Sequence, residues 1–198
     1  MIRYLYLILF LSLSHTFAQK DLGIVQDNDK INIIKSESIY CDVNHIDQYP
    51  YLCVAASAEI VLDYYGKRIN QKDIKRLVDN IDYKDNDKRL YSFVDLDELV
   101  LTLKKIGFNW ENKRFAGNDF KSGLNYIINE LSNNRPVLVC VSRIYPIQHT
   151  LVLTGYSEKN KLIILTDPML ESPGIRIISV ETFKKIWITN GYRYLVST

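Results

Sequence analysis

Three side chains far apart in the sequence have the chemistry of a nucleophile and its proton carriers. Cys53 opens the run Cys53-Val-Ala-Ala-Ser57-Ala-Glu-Ile-Val-Leu-Asp-Tyr-Tyr-Gly66. Cys53, Ser57, Ile60, Val61 and Tyr64 recur at three- and four-residue spacings, so a helix is expected over 53–65, stopped by Gly66. A cysteine at a helix start meets unbonded N–H groups and the positive end of the helix dipole, which favour the nucleophilic thiolate. Taken alone, such a cysteine is more often a small buried side chain.

His149 opens the run His149-Thr-Leu-Val-Leu-Thr-Gly-Tyr156, and Leu162-Ile-Ile-Leu-Thr-Asp167 follows. Residues 157–160 have turn character, so the two runs are expected to pair as an antiparallel hairpin. A turn centred near Glu158 sets His149 opposite Asp167 within one register step, at the open end. A carboxylate there can select one imidazole tautomer and stabilise its charged form. Asp167 also reads as a turn-forming Asp before Pro168. Gln48 precedes Cys53 by five positions; its amide could donate to a developing oxyanion, or it is a surface-loop glutamine.

The elements that must position these residues are legible in outline. Helices are expected over 70–80 (Asn70 as N-cap; Ile74, Leu77 and Val78 as apolar stripe), 95–106, 120–131 and 181–187. Strands are expected over 137–141, 149–156, 162–167, 175–180 and 192–196. Residues 19–38 read as a loose lead-in with one edge strand near Ile31, Ile33 and Ile34, and 82–91 as a polar loop. Helices in the first half and strands in the second argue for α+β with an antiparallel sheet.

The segment from Gln48 to Gly66 resembles the nucleophile region of papain-like bacterial peptidases, the C39-like group above all. Arg135-Pro-Val-Leu-Val, the His149–Tyr156 run and Leu165-Thr-Asp167-Pro168 are similar to that group's later segments in order and spacing. The resemblance covers about residues 46–168. It departs in Val54 after the cysteine, and in a glutamine one position nearer to it than usual. It implies a papain-like cysteine proteinase fold, with Cys53 as nucleophile, His149 as base, Asp167 as its orienting partner and Gln48 in the oxyanion hole. The implied activity is hydrolysis of a peptide or related amide through an acyl-enzyme, with a peptide or protein as substrate. A transamidase or acyltransferase, or an inactive binding module, would use the same fold.

Length and composition agree with one globular domain. The chain has 198 residues, 25 Lys+Arg against 23 Asp+Glu and a net charge of +2, so attraction to nucleic acid is not a main theme. Residues 1–18 place Arg3 before an apolar run from Tyr4 to Leu13, then small residues at Thr16 and Ala18. This is the layout of a secretory signal peptide, too short to span a membrane. The mature chain, 19–198, is expected to be exported and monomeric. Three Cys is an odd number; a Cys41–Cys140 disulfide would leave Cys53 free. His45 reads as a surface residue. Scattered His and Cys give no metal-ligand spacing, and no cofactor is expected.

Overall fold

The computed structural model describes residues 23, 25, 27–80, 92–115, 119–142, 148–187 and 193–197. The expected signal peptide at 1–18 and the loop at 82–91 lie outside them.

In chain order the elements are α1 (Asn28–Ser36), β1 (Ile39–Tyr40), α2 (Cys53–Tyr64), α3 (Gln71–Asp79), α4 (Leu96–Lys105), β2 (Trp110–Lys113), α5 (Phe120–Ser132), β3 (Val137–Val141), β4 (His149–Ser157), β5 (Leu162–Thr166), β6 (Ile175–Ser179), α6 (Val180–Trp187) and β7 (Tyr194–Ser197). The sheet is antiparallel throughout, in the order β2-β7-β3-β4-β5-β6, with β1 paired to β4 off that path.

β3 and β4 are buried at every position, because helices cover both faces of the sheet. Side-chain alternation assigns each residue to a face. Val137, Val139, Val141, Leu151 and Leu153 pack with Ile127 and Leu131 of α5 and Phe183 and Trp187 of α6. Leu138, Cys140 and Val152 pack on the other face with α2, α3 and α4. Ala55, Ala56, Ser57 and Ala58 keep the side of α2 small. The buried Ser57 hydroxyl donates to the Thr150 carbonyl of β4 at 3.0 Å, which fixes α2 along the sheet.

Several local expectations are corrected. The lead-in contains α1, not an edge strand, with Asp27 accepting from the N–H groups of Asp29 and Lys30. Ile31 is buried while Ile33 is 62% exposed, the helical phase that an alternation reading misses. β2 was not expected; it exists because β7 supplies its partner strand. In α3 the buried positions are Gln71, Ile74 and Lys75, and Leu77 is exposed. All three cysteines are free: Cys41 belongs to one core and Cys140 to the other, on opposite sheet faces.

Candidate active site

The N-terminus of α2 carries Cys53, and its N-cap residue, Leu52, makes no side-chain capping bond. Four other helices are capped by Asp27, Asn70, Asp95 and Asp119. The first-turn N–H groups of α2 therefore keep their donor capacity near the sulfur. Tyr51, two residues upstream, has φ +66, an uncommon backbone state for a residue with a side chain.

His149 and Asp167 meet through Nε2 and Oδ1 at 2.8 Å, both buried. They are not directly opposite. The hairpin turn lies one to two residues later than expected, and Ser157 pairs with Leu162. A bulge between Leu153 and Gly155 shifts the ladder, so that Val152 pairs with Thr166. Continued by one residue, Asp167 faces Leu151, and His149 sits two residues further along the same face. Such diagonal neighbours are within reach of long side chains. Without the bulge Asp167 would face Val152, on the other face from His149.

Asp167 is held from several sides. Arg176 Nε donates to Oδ2 at 2.6 Å and is itself buried. The Met169 N–H donates to Oδ1 at 2.9 Å, so the turn role before Pro168 and the contact with His149 coexist on one oxygen. The backbone N–H of Asp167 donates to the Gly174 carbonyl at 2.8 Å. Arg176 was missed in the sequence; the available signal was one charged residue inside the apolar strand Ile175–Ser179. His45, expected at the surface, has a nearly buried ring whose Nε2 lies 3.1 Å from the Asp167 carbonyl.

The electrostatics separate the three thiols. Burial pushes Cys53 up, but the hydrogen bond and charge of His149, with backbone hydrogen bonds from Thr150 and Val54, bring it below the ordinary thiol value. Burial alone dominates at Cys41, pushed up to about 11, and at Cys140, which is also raised. At His149 desolvation favours the neutral ring, yet Asp167 and Cys53 together raise it to about 9. At Asp167 burial is outweighed by His149 and Arg176, and the carboxyl is held down to about 2.

A cleft of about 660 Å³ runs past these groups, lined among others by Gln48, Tyr51, Cys53, Phe93, His149 and Met169. Gln48 thus shares the cleft with Cys53 despite its shortened spacing. Its buried Oε1 has no hydrogen-bond partner among the described residues. Tyr51 and Phe93 meet edge to face, with ring centroids 5.5 Å apart. Tyr51, Phe93 and Met169 are each more than half exposed, so the cleft has an apolar lip. Tyr49 lies outside this lining, under the ammonium of Lys72.

A papain-like α+β scaffold with a lowered thiol at a helix start, beside a buried His–Asp pair, defines a cysteine peptidase-like hydrolase. Residues 40–195 match the model of the Peptidase_C39 like family, and the chain belongs to that family. No curated protein matches the chain at the sequence level. Among solved structures it is similar to a double glycine motif protease from an AMS/PCAT transporter, in complex with the leader peptide, at 20% identity over 80% of this chain and 93% of that one, TM-score 0.54. It is also similar to the peptidase domain of Streptococcus ComA, a bi-functional ABC transporter of a quorum sensing pathway, at 21% identity over 80% and 98%, TM-score 0.57. A C39-like protein of Bacillus anthracis gives 16% identity over 80% and 95%, TM-score 0.59.

Proposed function

We propose that the protein hydrolyses a peptide or related amide bond through a Cys53 acyl-enzyme. The observation that carries this reading is the buried 2.8 Å contact between His149 and Asp167 beside the one thiol held below its ordinary value. In the resting state the proton sits on His149 and the sulfur is a thiolate. Cys53 Sγ attacks the carbonyl carbon, and the oxyanion takes hydrogen bonds from the Cys53 N–H and the Gln48 amide. His149 gives its proton to the leaving amine as the C–N bond breaks. It then accepts a proton from water, which attacks the thioester and releases the acid. Asp167 keeps the ring oriented with Nε2 bound, leaving Nδ1 for the sulfur.

The apolar lip favours a peptide with a bulky apolar side chain near the scissile bond, and the leader-peptide complex of one structural neighbour supports a peptide as substrate class. Export after removal of residues 1–18, and action as a monomer, complete the proposal; the charged, apolar and small order of the N-terminal segment supports the first. Among the described residues no helix is long and apolar enough to cross a membrane.

Labelling the mature protein with an electrophilic peptide probe, then mapping the adduct by mass, tests the reading. The adduct is expected on Cys53 and absent from Cys53→Ala. A wild-type protein whose Cys53 stays unlabelled would overturn it. Product analysis with and without an added amine separates hydrolysis from amine transfer.

A further inference from the structure

Gln71 is buried at the first position of α3, and both ends of its side-chain amide are used. Its Oε1 accepts from the Tyr49 N–H at 2.8 Å, and its Nε2 donates to the Asp47 carbonyl at 2.9 Å. These two backbone groups flank Gln48. Between them in the chain, the Gln48 N–H donates to the Pro168 carbonyl at 2.7 Å. The segment 47–49 is therefore held by two grips. One grip is the turn that follows Asp167, and the other is a single side-chain amide.

The position of Gln71 is itself set by the helix that carries Cys53. Glu59 of α2 accepts from the Gln71 N–H through Oε2 at 2.8 Å. One rigid helix thus bears the nucleophile at its start and, six residues on, the anchor for the clamp on Gln48. Two backbone contacts and one turn contact leave Gln48 little freedom except about its own side-chain torsions, and it lines the cleft beside Cys53.

We propose that Gln71, held by Glu59, is the positioning residue for Gln48 and through it for the oxyanion hole. This rests on the acyl-enzyme reading above. It gives a buried glutamine outside the cleft lining an effect confined to the steps that form a tetrahedral oxyanion. The shortened spacing between Gln48 and Cys53 is tolerated because the donor is placed by α3 and not by the chain between the two residues.

Two reactions of Cys53 on the full mature chain test this. Iodoacetamide alkylates the thiolate by displacing iodide, with no oxyanion formed. 4-Nitrophenyl acetate acylates it: the C–S bond forms through a tetrahedral oxyanion, which collapses to S-acetyl-Cys53 and 4-nitrophenolate. Gln48→Ala and Gln71→Ala are each expected to slow acylation about 10- to 100-fold, at or below the effect of losing one oxyanion donor in an enzyme. Alkylation should stay within about twofold of wild type in both. The double variant should be no slower than either single one, because both remove one function. Glu59→Gln keeps an acceptor for the Gln71 N–H and should stay close to wild type, whereas Glu59→Ala should resemble Gln71→Ala. If Gln71→Ala does not fold, Gln71→Met decides: it is near in size but can bond neither the Tyr49 N–H nor the Asp47 carbonyl, so acylation alone should fall. Unchanged acylation in the Gln71 variants, losses that multiply in the double variant, or equal losses in both reactions would each overturn the inference. A wild-type Cys53 that iodoacetamide does not alkylate would instead bring down the acyl-enzyme reading, and this inference with it.

Discussion

His149 and Asp167 touch because β4 carries one residue too many. The bulge between Leu153 and Gly155 turns Asp167 from the register position opposite Val152 to the one opposite Leu151, and so onto the face of His149, where Nε2 and Oδ1 lie 2.8 Å apart. Re-aiming a side chain is a recurrent use of this irregularity.

Asp167→Asn replaces one anionic oxygen with an NH2 group that faces a donor on either side, Arg176 Nε or His149 Nε2. Turnover of a peptide substrate should fall by about 10²- to 10⁴-fold, while iodoacetamide still reaches Cys53. Comparable turnover in the variant would remove Asp167 from the mechanism.

The Cys53–His149 couple predicts a pH profile with a definite sign. Cys53 lies below the ordinary thiol value and His149 is raised to about 9, so thiolate and imidazolium coexist between these limits. Activity should rise with pH through the Cys53 titration and fall as His149 loses its proton near pH 9. In His149→Ala the midpoint of Cys53 alkylation should move up, towards about 8.5 or beyond. An alkylation curve that the substitution leaves in place would show that His149 does not act on the thiol.

Arg176→Met leaves Asp167 Oδ2 buried without its cation. Breaking a buried pair from one side costs about 3–5 kcal/mol, so the urea midpoint should drop accordingly. A loss below about 1 kcal/mol would mean that the guanidinium is dispensable to Asp167.

Acid should weaken the same site. The Asp167 carboxyl, at 3.8 when unperturbed, is held at about 2 in the fold. A depressed carboxyl contributes stability that is fully present above the unfolded value and is lost as pH falls through the folded one. The stability gap between wild type and Asp167→Asn should therefore narrow from about pH 4 down to pH 2. A gap constant across that range would refute the assignment.

Gly174→Ala should damage the support behind Asp167. Gly174 has φ +63, and a Cβ there would fall 2.0 Å from His45 Cδ2, so the buried ring must move. A loss of about 1–3 kcal/mol is expected on thermal or urea unfolding. His45→Ala in the Gly174→Ala background should recover part of it, since the clash partner is gone.

What the sequence determined by itself is local. Helical spacing from Cys53 onward put a cysteine at a helix start, and two apolar runs joined by turn residues made β4 and β5 neighbours. Each of those signals is contained in one short run of neighbouring residues, where periodicity and turn chemistry are read directly. Segregated helices and strands gave the α+β class, and the Gln48–Gly66 segment carried the family resemblance. The tertiary structure decided the rest. The true register came from a bulge between Leu153 and Gly155, beside a glycine whose Cβ would press against Tyr40 and Ile164. β2 formed only because β7, more than 80 residues later, offered an edge, and α1 took its helical phase from burying Ile31. Arg176, His45 and Gln71 look like ordinary polar residues in sequence. They became supports of the site because folding buried each beside one particular partner, and a buried polar group must find that partner or cost the fold its desolvation energy.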